Sequence, residues 1–122
     1  MIDELYDLIG GRPTVQAATE SFYRRVFADE TLRPFFSSTD MKQLRGRQSM
    51  FISMLLGGRV VYTGADIASA HAPARMQGLN GGHFDQFLQH FRAALDEVGV
   101  PPEKAERVLK LLESKRGDVL KP

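Results

Sequence analysis

No cysteine occurs among the 122 residues, so disulfides, thiolate metal sites and a cysteine nucleophile are all excluded. No apolar run approaches the length of a membrane span. The acidic opening, Met1-Ile-Asp-Glu-Leu-Tyr-Asp7, is not followed by the apolar core of a signal peptide. A cytoplasmic location without a membrane partner is the expectation. Charge of one sign is also missing: sixteen basic against fifteen acidic residues leave a net charge of +1, too little to draw in nucleic acid. There is no internal repeat, no low-complexity tract and no stretch of period-two alternation. With 43% apolar and 25% charged residues the composition is that of a globular protein, and the length fits one domain over 1–122. The expected fold class is all-α.

What is present reads as a succession of amphipathic helices. Ile2, Leu5, Tyr6 and Ile9 mark a short first helix, ended by Gly10-Gly11, and Pro13 suits the first turn of the next. That helix carries Val15, Ala18, Thr19, Phe22, Tyr23, Val26 and Phe27 at three- and four-residue spacing, so one phenol lies on an apolar stripe. From Asp29 to Asp40 an irregular or single-turn connection holds Pro34 as a breaker, the pair Phe35-Phe36, and a capping cluster that includes Thr39. A third helix is expected over about Met41 to Leu56, with Met41, Leu44, Gln48, Phe51 and Leu55 facing inward. An unpartnered buried amide costs about 1–3 kcal/mol, so Gln48 should bond inside the fold, and Tyr23 is its nearest polar candidate. Lys42, Arg45 and Arg47, with Arg24 and Arg25, read as a solvated face.

Gly57-Gly58 ends the third helix. In Tyr62-Thr-Gly-Ala-Asp-Ile-Ala-Ser-Ala-His71-Ala-Pro73 the pair Thr63 and Asp66 reads as a cap, Ile67, Ala70 and His71 share a face, and Pro73 stops the turn. A helix this short buries too little to fold for its own sake. Small Ala and Ser beside His71 leave lateral room for something flat, and a haem with His71 on its iron satisfies that description. Ala74 to Gly82 is expected to be loop. A helix from about His83 to Val98 presents Phe84, Phe87, Leu88, Phe91, Leu95 and Val98 to the core; a last one from Pro102 buries Ala105, Val108, Leu109 and Leu112 before fraying at Gly117. His83 and His90, seven residues apart on one helix, are separated by about 10 Å, too far to share a metal without a third element, and are expected to be structural or surface residues.

A helix with Tyr23, a turn with Phe35-Phe36, a helix with Gln48 and a short segment ending in His71 together resemble the group I truncated haemoglobins over nearly the whole chain. The likeness is carried by Leu5-Tyr6-Asp-Leu-Ile-Gly10-Gly11, Phe22-Tyr23-Arg-Arg-Val-Phe-Ala28-Asp29, Phe35-Phe36-Ser-Ser-Thr39-Asp40-Met41, Arg47-Gln48, Leu56-Gly57-Gly58, Tyr62-Thr63-Gly64, Ala70-His71 and Gly82-His83-Phe84-Asp85. The resemblance implies a shortened globin of two helix pairs crossed over one another, holding haem b non-covalently. It implies that His71 is the proximal iron ligand and that Phe36 packs on the porphyrin. Tyr23, Leu44 and Gln48 then form the distal wall, and Arg47, Thr39 and Met41 contact the haem propionates and rim. Bound O2 carries partial negative charge, which the Tyr23 hydroxyl and Gln48 amide would stabilise, giving high oxygen affinity.

The chain departs from family patterns at three places. Arg47 stands where some cyanobacterial members have a histidine able to take the sixth iron position, so no internal sixth ligand is expected there. Leu112-Glu-Ser-Lys-Arg-Gly117 has no histidine where some members bond one covalently to the haem. Ile52 stands where certain members line a gas tunnel with phenylalanine. Reversible binding of O2, with CO and NO as further ligands, by a monomer or weak dimer is the expected function, as carrier or store. Nitric oxide dioxygenation, which would need a reductase partner, is the alternative, with weak peroxidase chemistry and gas sensing as other uses of the same pocket. A helix-turn-helix DNA binder is disfavoured by charge neutrality, and a haem-free adaptor bundle by the presence of His71.

Overall fold

The computed structural model describes residues 5–36, 40–57 and 72–120, and every regular element among them is helical. They are α1 (Leu5–Leu8), α2 (Gly11–Phe27), a 3-10 turn (Arg33–Phe36), α3 (Met41–Leu55), α4 (Ala72–Met76), α5 (Gly81–Glu97), α6 (Pro102–Glu113) and α7 (Arg116–Leu120). The helices pack as α2 on α5, α2 on α3 and α5 on α6, with α1 lodged against α2 and α6. The element order matches the expectation closely because each boundary has a local cause. Gly10 and Gly11 take φ of 118° and 70°, left-handed values that turn the chain from α1 into α2. The Asp40 side chain accepts from the Gln43 N–H at 3.2 Å to cap α3. At the end of α5, Gly99 at φ 88° lets its own N–H reach the Asp96 carbonyl and the Val100 N–H reach the Leu95 carbonyl, a Schellman closure that buries Val100.

Three stretches depart from the expected pattern. Ala72–Met76 is helical, with Pro73 in its first turn, where loop is expected from Ala74; the fixed φ of proline is itself a helical value. Helix α5 begins at Gly81 rather than His83, so Gly81 and Gly82 form its first turn instead of closing a loop. The cause is Asn80, whose side chain accepts from the His83 N–H at 3.2 Å while His83 Nδ1 accepts from the Asn80 N–H at 3.1 Å. This reciprocal cap outweighs the glycines' low helix propensity. The chain does not fray at Gly117 either, because Arg116 fixes α7. Its guanidinium bonds Glu113 at 2.8 Å, pairs with Asp85, donates to the Gly81 carbonyl at 3.3 Å and lies 4.6 Å from the Phe84 ring centroid.

The core divides the bundle lengthwise. One continuous cluster joins Leu5 and Ile9, Val15 and Ala18 from the first half of α2, Ile52 and Leu56 from the end of α3, Phe91 and Leu95 from the second half of α5, and Val108 and Leu109 of α6. The Tyr6 N–H donates to the Leu56 carbonyl at 3.0 Å, and the Lys104 ammonium to the Leu8 carbonyl at 3.2 Å, so α1 is pinned to this end. The opposite halves of α2, α3 and α5 are left to surround something else.

Candidate functional site

Those opposite halves carry Tyr23 and Phe27, Leu44 and Gln48, and Phe84 and Phe87. The 3-10 turn, held by the Asp29 carbonyl accepting from the Leu32 and Arg33 N–H groups, brings Phe36 against rings from two helices. Phe36 meets Tyr23 at 5.8 Å, Phe87 at 6.1 Å and Phe27 at 6.1 Å between centroids, the first two edge to face. Phe22 packs behind Tyr23 at 4.9 Å and reaches Phe91, which ties the ring cluster to the main core. Within this cluster Tyr23 is sealed, with 2% of its surface exposed. Phe27, Phe36 and Phe87 are only half-buried, as are Leu44 and Gln48 on α3. Burial pushes the Tyr23 phenol well above the ordinary tyrosine range, the cation of Arg45 working in the opposite sense.

Of the residues expected at the site, Tyr23 and Phe36 are thus in ring contact, while Leu44 and Gln48 lie one helical turn apart on α3. The Tyr23–Gln48 hydrogen bond expected from the sequence is not made among the described residues, where Gln48 is half-buried rather than enclosed. Arg47 is exposed, and Met41 begins α3. His71 and Thr39 lie outside the described residues, as do the Met41 and Phe51 side chains, the capping pair Thr63 and Asp66, and Gly58. Ile52, the position tied to a gas tunnel, is buried in the main core.

The two other histidines have structural partners. His83 caps α5 and meets Phe35 edge-on at 5.0 Å. His90 Nε2 lies 2.8 Å from the Asp29 carboxylate, joining α5 to the turn that carries Phe36. That hydrogen bond, with a smaller contribution from the Thr31 N–H, holds the Asp29 carboxyl below the usual carboxylate range.

Arg45 is the residue that sequence reasoning misplaced. It is half-buried, and its Nε is shielded from solvent with no hydrogen-bond partner among the described residues. The signal available was its spacing, three before Gln48 and seven before Ile52, which puts it on the inward side of α3. Arg24 and Arg25, by contrast, are outward and pair with Glu97 at 3.2 and 3.8 Å.

Three half-buried rings, Phe27 and Phe87 each packed against Phe36 beside the sealed Tyr23 phenol, leave apolar surface only partly covered on three elements at once. That surface fits a flat apolar group such as haem, which would cover it. The class of protein is accordingly a two-over-two helical sandwich with a cluster of half-buried rings at one end. A family model described as bacterial-like globin matches residues 4–121, and the chain belongs to that globin family. It is 36% identical over 116 residues to the group 1 truncated haemoglobin of Tetrahymena pyriformis, covering 95% of this chain and 93% of that protein. The crystal structure of the Tetrahymena pyriformis truncated haemoglobin in its Fe(III) form superposes with a TM-score of 0.90 at 35% identity, covering 97% of this chain and 98% of that one. The two-over-two haemoglobin of a Synechococcus species, in the cyanomet state with covalently attached haem, gives 0.92 at 31% identity, covering 98% and 100%. No helix among the described residues is long and apolar enough to cross a membrane.

Proposed function

We propose that this chain, as a single domain in the cytoplasm, binds haem b non-covalently and holds a diatomic gas reversibly, O2 foremost. The reading is carried by the half-buried rings of Phe27, Phe36 and Phe87 beside the sealed Tyr23, at the end of the bundle that the main core leaves free. Haem, when bound, supplies a ferrous iron with one open position for the gas. His71 would hold the iron through a neutral imidazole, and Phe36 would pack on the porphyrin face. Leu44 would keep the gas side apolar and exclude water. The Tyr23 hydroxyl, kept protonated by its burial, would donate a hydrogen bond to the ligand, and the Gln48 amide a second. At about 1.5 kcal/mol each, two such bonds slow O2 release by roughly a hundredfold. Arg47, Thr39 and Met41 would meet the propionates and rim. With no histidine in residues 112–117, the haem should be extractable into acidified butanone, unlike the covalently attached haem described for the Synechococcus protein.

Absorption spectra of the chain reconstituted with haem test this reading, taken in the ferric, ferrous and ferrous–CO forms. Stoichiometric uptake with a five-coordinate ferrous spectrum that is lost in His71→Ala is the expected result. An unchanged spectrum in that variant would assign the iron to another residue, and no stoichiometric uptake would reduce the likeness to fold alone.

A further inference from the structure

The C-terminal helix α7 reaches back to the segment that follows His71 and holds it at two points. Helix α4 begins at Ala72, the residue after His71, and is five residues long, too short to persist on its own backbone bonds. Packing gives it little help: Ala74 and Arg75 are half-buried, and Met76, Gln77 and Gly78 are exposed. Its C-terminal end is closed by Gly78, whose φ of 98° lets its N–H reach the Arg75 carbonyl at 3.0 Å and the Leu79 N–H reach the Ala74 carbonyl at 3.1 Å. The tie from α4 to α7 is the Arg75 side chain. Its Nη1 donates to the Val119 carbonyl at 3.0 Å, in a partly buried bond that spans 44 positions of sequence. Val119 is next to last in α7, so its carbonyl is one that the helix leaves without a partner of its own, and a guanidinium there satisfies it with a charge-assisted bond. The other end of the tie is itself fixed. Arg116, the first residue of α7, bonds Glu113 at 2.8 Å and pairs with Asp85, and its Nη1 donates to the Gly81 carbonyl at 3.3 Å, at the first residue of α5. The connection from α4 to α5 is thus bonded to α7 at both of its ends, at Arg75 and at Gly81.

We propose that α7 is a clamp on the segment that carries His71, with Arg75 as the residue that positions it. Arg75 lies four residues after His71, so a bond that fixes Arg75 restricts the backbone from which the imidazole extends. The role rests on the haem reading above, in which His71 holds the iron.

The test compares the parent with Arg75→Ala, Arg75→Lys, Arg116→Gln and the double variant Arg75→Ala/Arg116→Gln, all in the full chain. In the haem-free chain, amide exchange followed by NMR should quicken about tenfold at Gln77, Gly78 and Leu79 in Arg75→Ala, the worth of one such bond, and stay within about twofold at Val100, which closes the far end of α5. Arg75→Lys, which keeps a cationic donor, should restore most of the protection. Because both arginines act through α7, the double variant should exchange more slowly at these amides than the product of the two single effects. In the loaded chain, Arg75→Ala should shift and broaden the iron–imidazole stretching band of the ferrous form in resonance Raman spectra, and speed haem loss to apomyoglobin about tenfold. Unmoved exchange at residues 77–79, equal quickening at Val100, or fully multiplicative effects of the two arginines would overturn the clamp while the haem reading stands. Quickened exchange with an unmoved iron–imidazole band would reduce the bond to local stability and overturn the positioning role. Failure of the parent to take up haem would overturn the haem reading and the role toward His71 with it.

Discussion

A phenol sealed among rings is a group whose ionisation the fold opposes. Tyr23 stays neutral in the folded chain, whereas in the unfolded chain it ionises above about pH 10. The stability this contributes is therefore present below that pH and is lost as pH rises through it toward the higher folded value. Urea titrations between pH 8 and 11 should show a steeper decline for the parent than for Tyr23→Phe; parallel declines would place the phenol in solvent. In the haem-loaded protein the same substitution should raise the O2 off-rate by tenfold or more, the worth of one hydrogen bond, as read by stopped-flow displacement with CO. Tyr23 was legible as a polar residue on an apolar stripe. Arg45 carried only the weaker signal of its spacing to Gln48 and Ile52, which the habit of long charged side chains of snorkelling to water outweighs; the shielding of its Nε sets it apart from the exposed Lys42 and Arg47.

At the scale of elements, the ends of helices were legible wherever a single residue type decides them: the glycines after α1, α3 and α5, Asp40 before α3, and Pro102 in the first turn of α6. They were illegible where a pair of residues decides them. Asn80 and His83 start α5 by capping each other across Gly81 and Gly82, which by propensity alone argue for loop. Asn80→Ala should cost about 1 kcal/mol in urea unfolding, and a change near zero would mean the glycines set this boundary. The turn bearing Phe36 is tied to α5 through Asp29 and His90. Because the bond to His90 holds the Asp29 carboxyl below its ordinary range, its stabilising contribution is present above about pH 4 and lost as pH falls through the lower folded value. Asp29→Asn should flatten the acid limb of a circular-dichroism stability profile below pH 5; an unaltered limb would make the contact incidental.

Among the described residues the main core gathers at one end and the half-buried ring cluster at the other, and the long helices α2, α3 and α5 contribute a half to each. That division follows from the sequence only once the pairing of helices is known, since the apolar stripe of α2 runs unbroken from Val15 to Phe27 and does not announce where core stops and site begins. Leu95, buried in the main cluster and 1% exposed, is the place to test it. Leu95→Ala should cost about 2–5 kcal/mol in the haem-free chain, measured by urea unfolding, while leaving the fluoride and CO affinities of the loaded chain within about twofold. A large loss of ligand affinity would mean that the two ends are one cooperative unit. Separate ends also shape how the sequence can drift. Substitutions around Leu95 and Val108 are judged by whether the chain folds and those around Phe36, Leu44 and Gln48 by what it holds, so a lineage can retune its ligand at one end of α3 without renegotiating its foldability at the other.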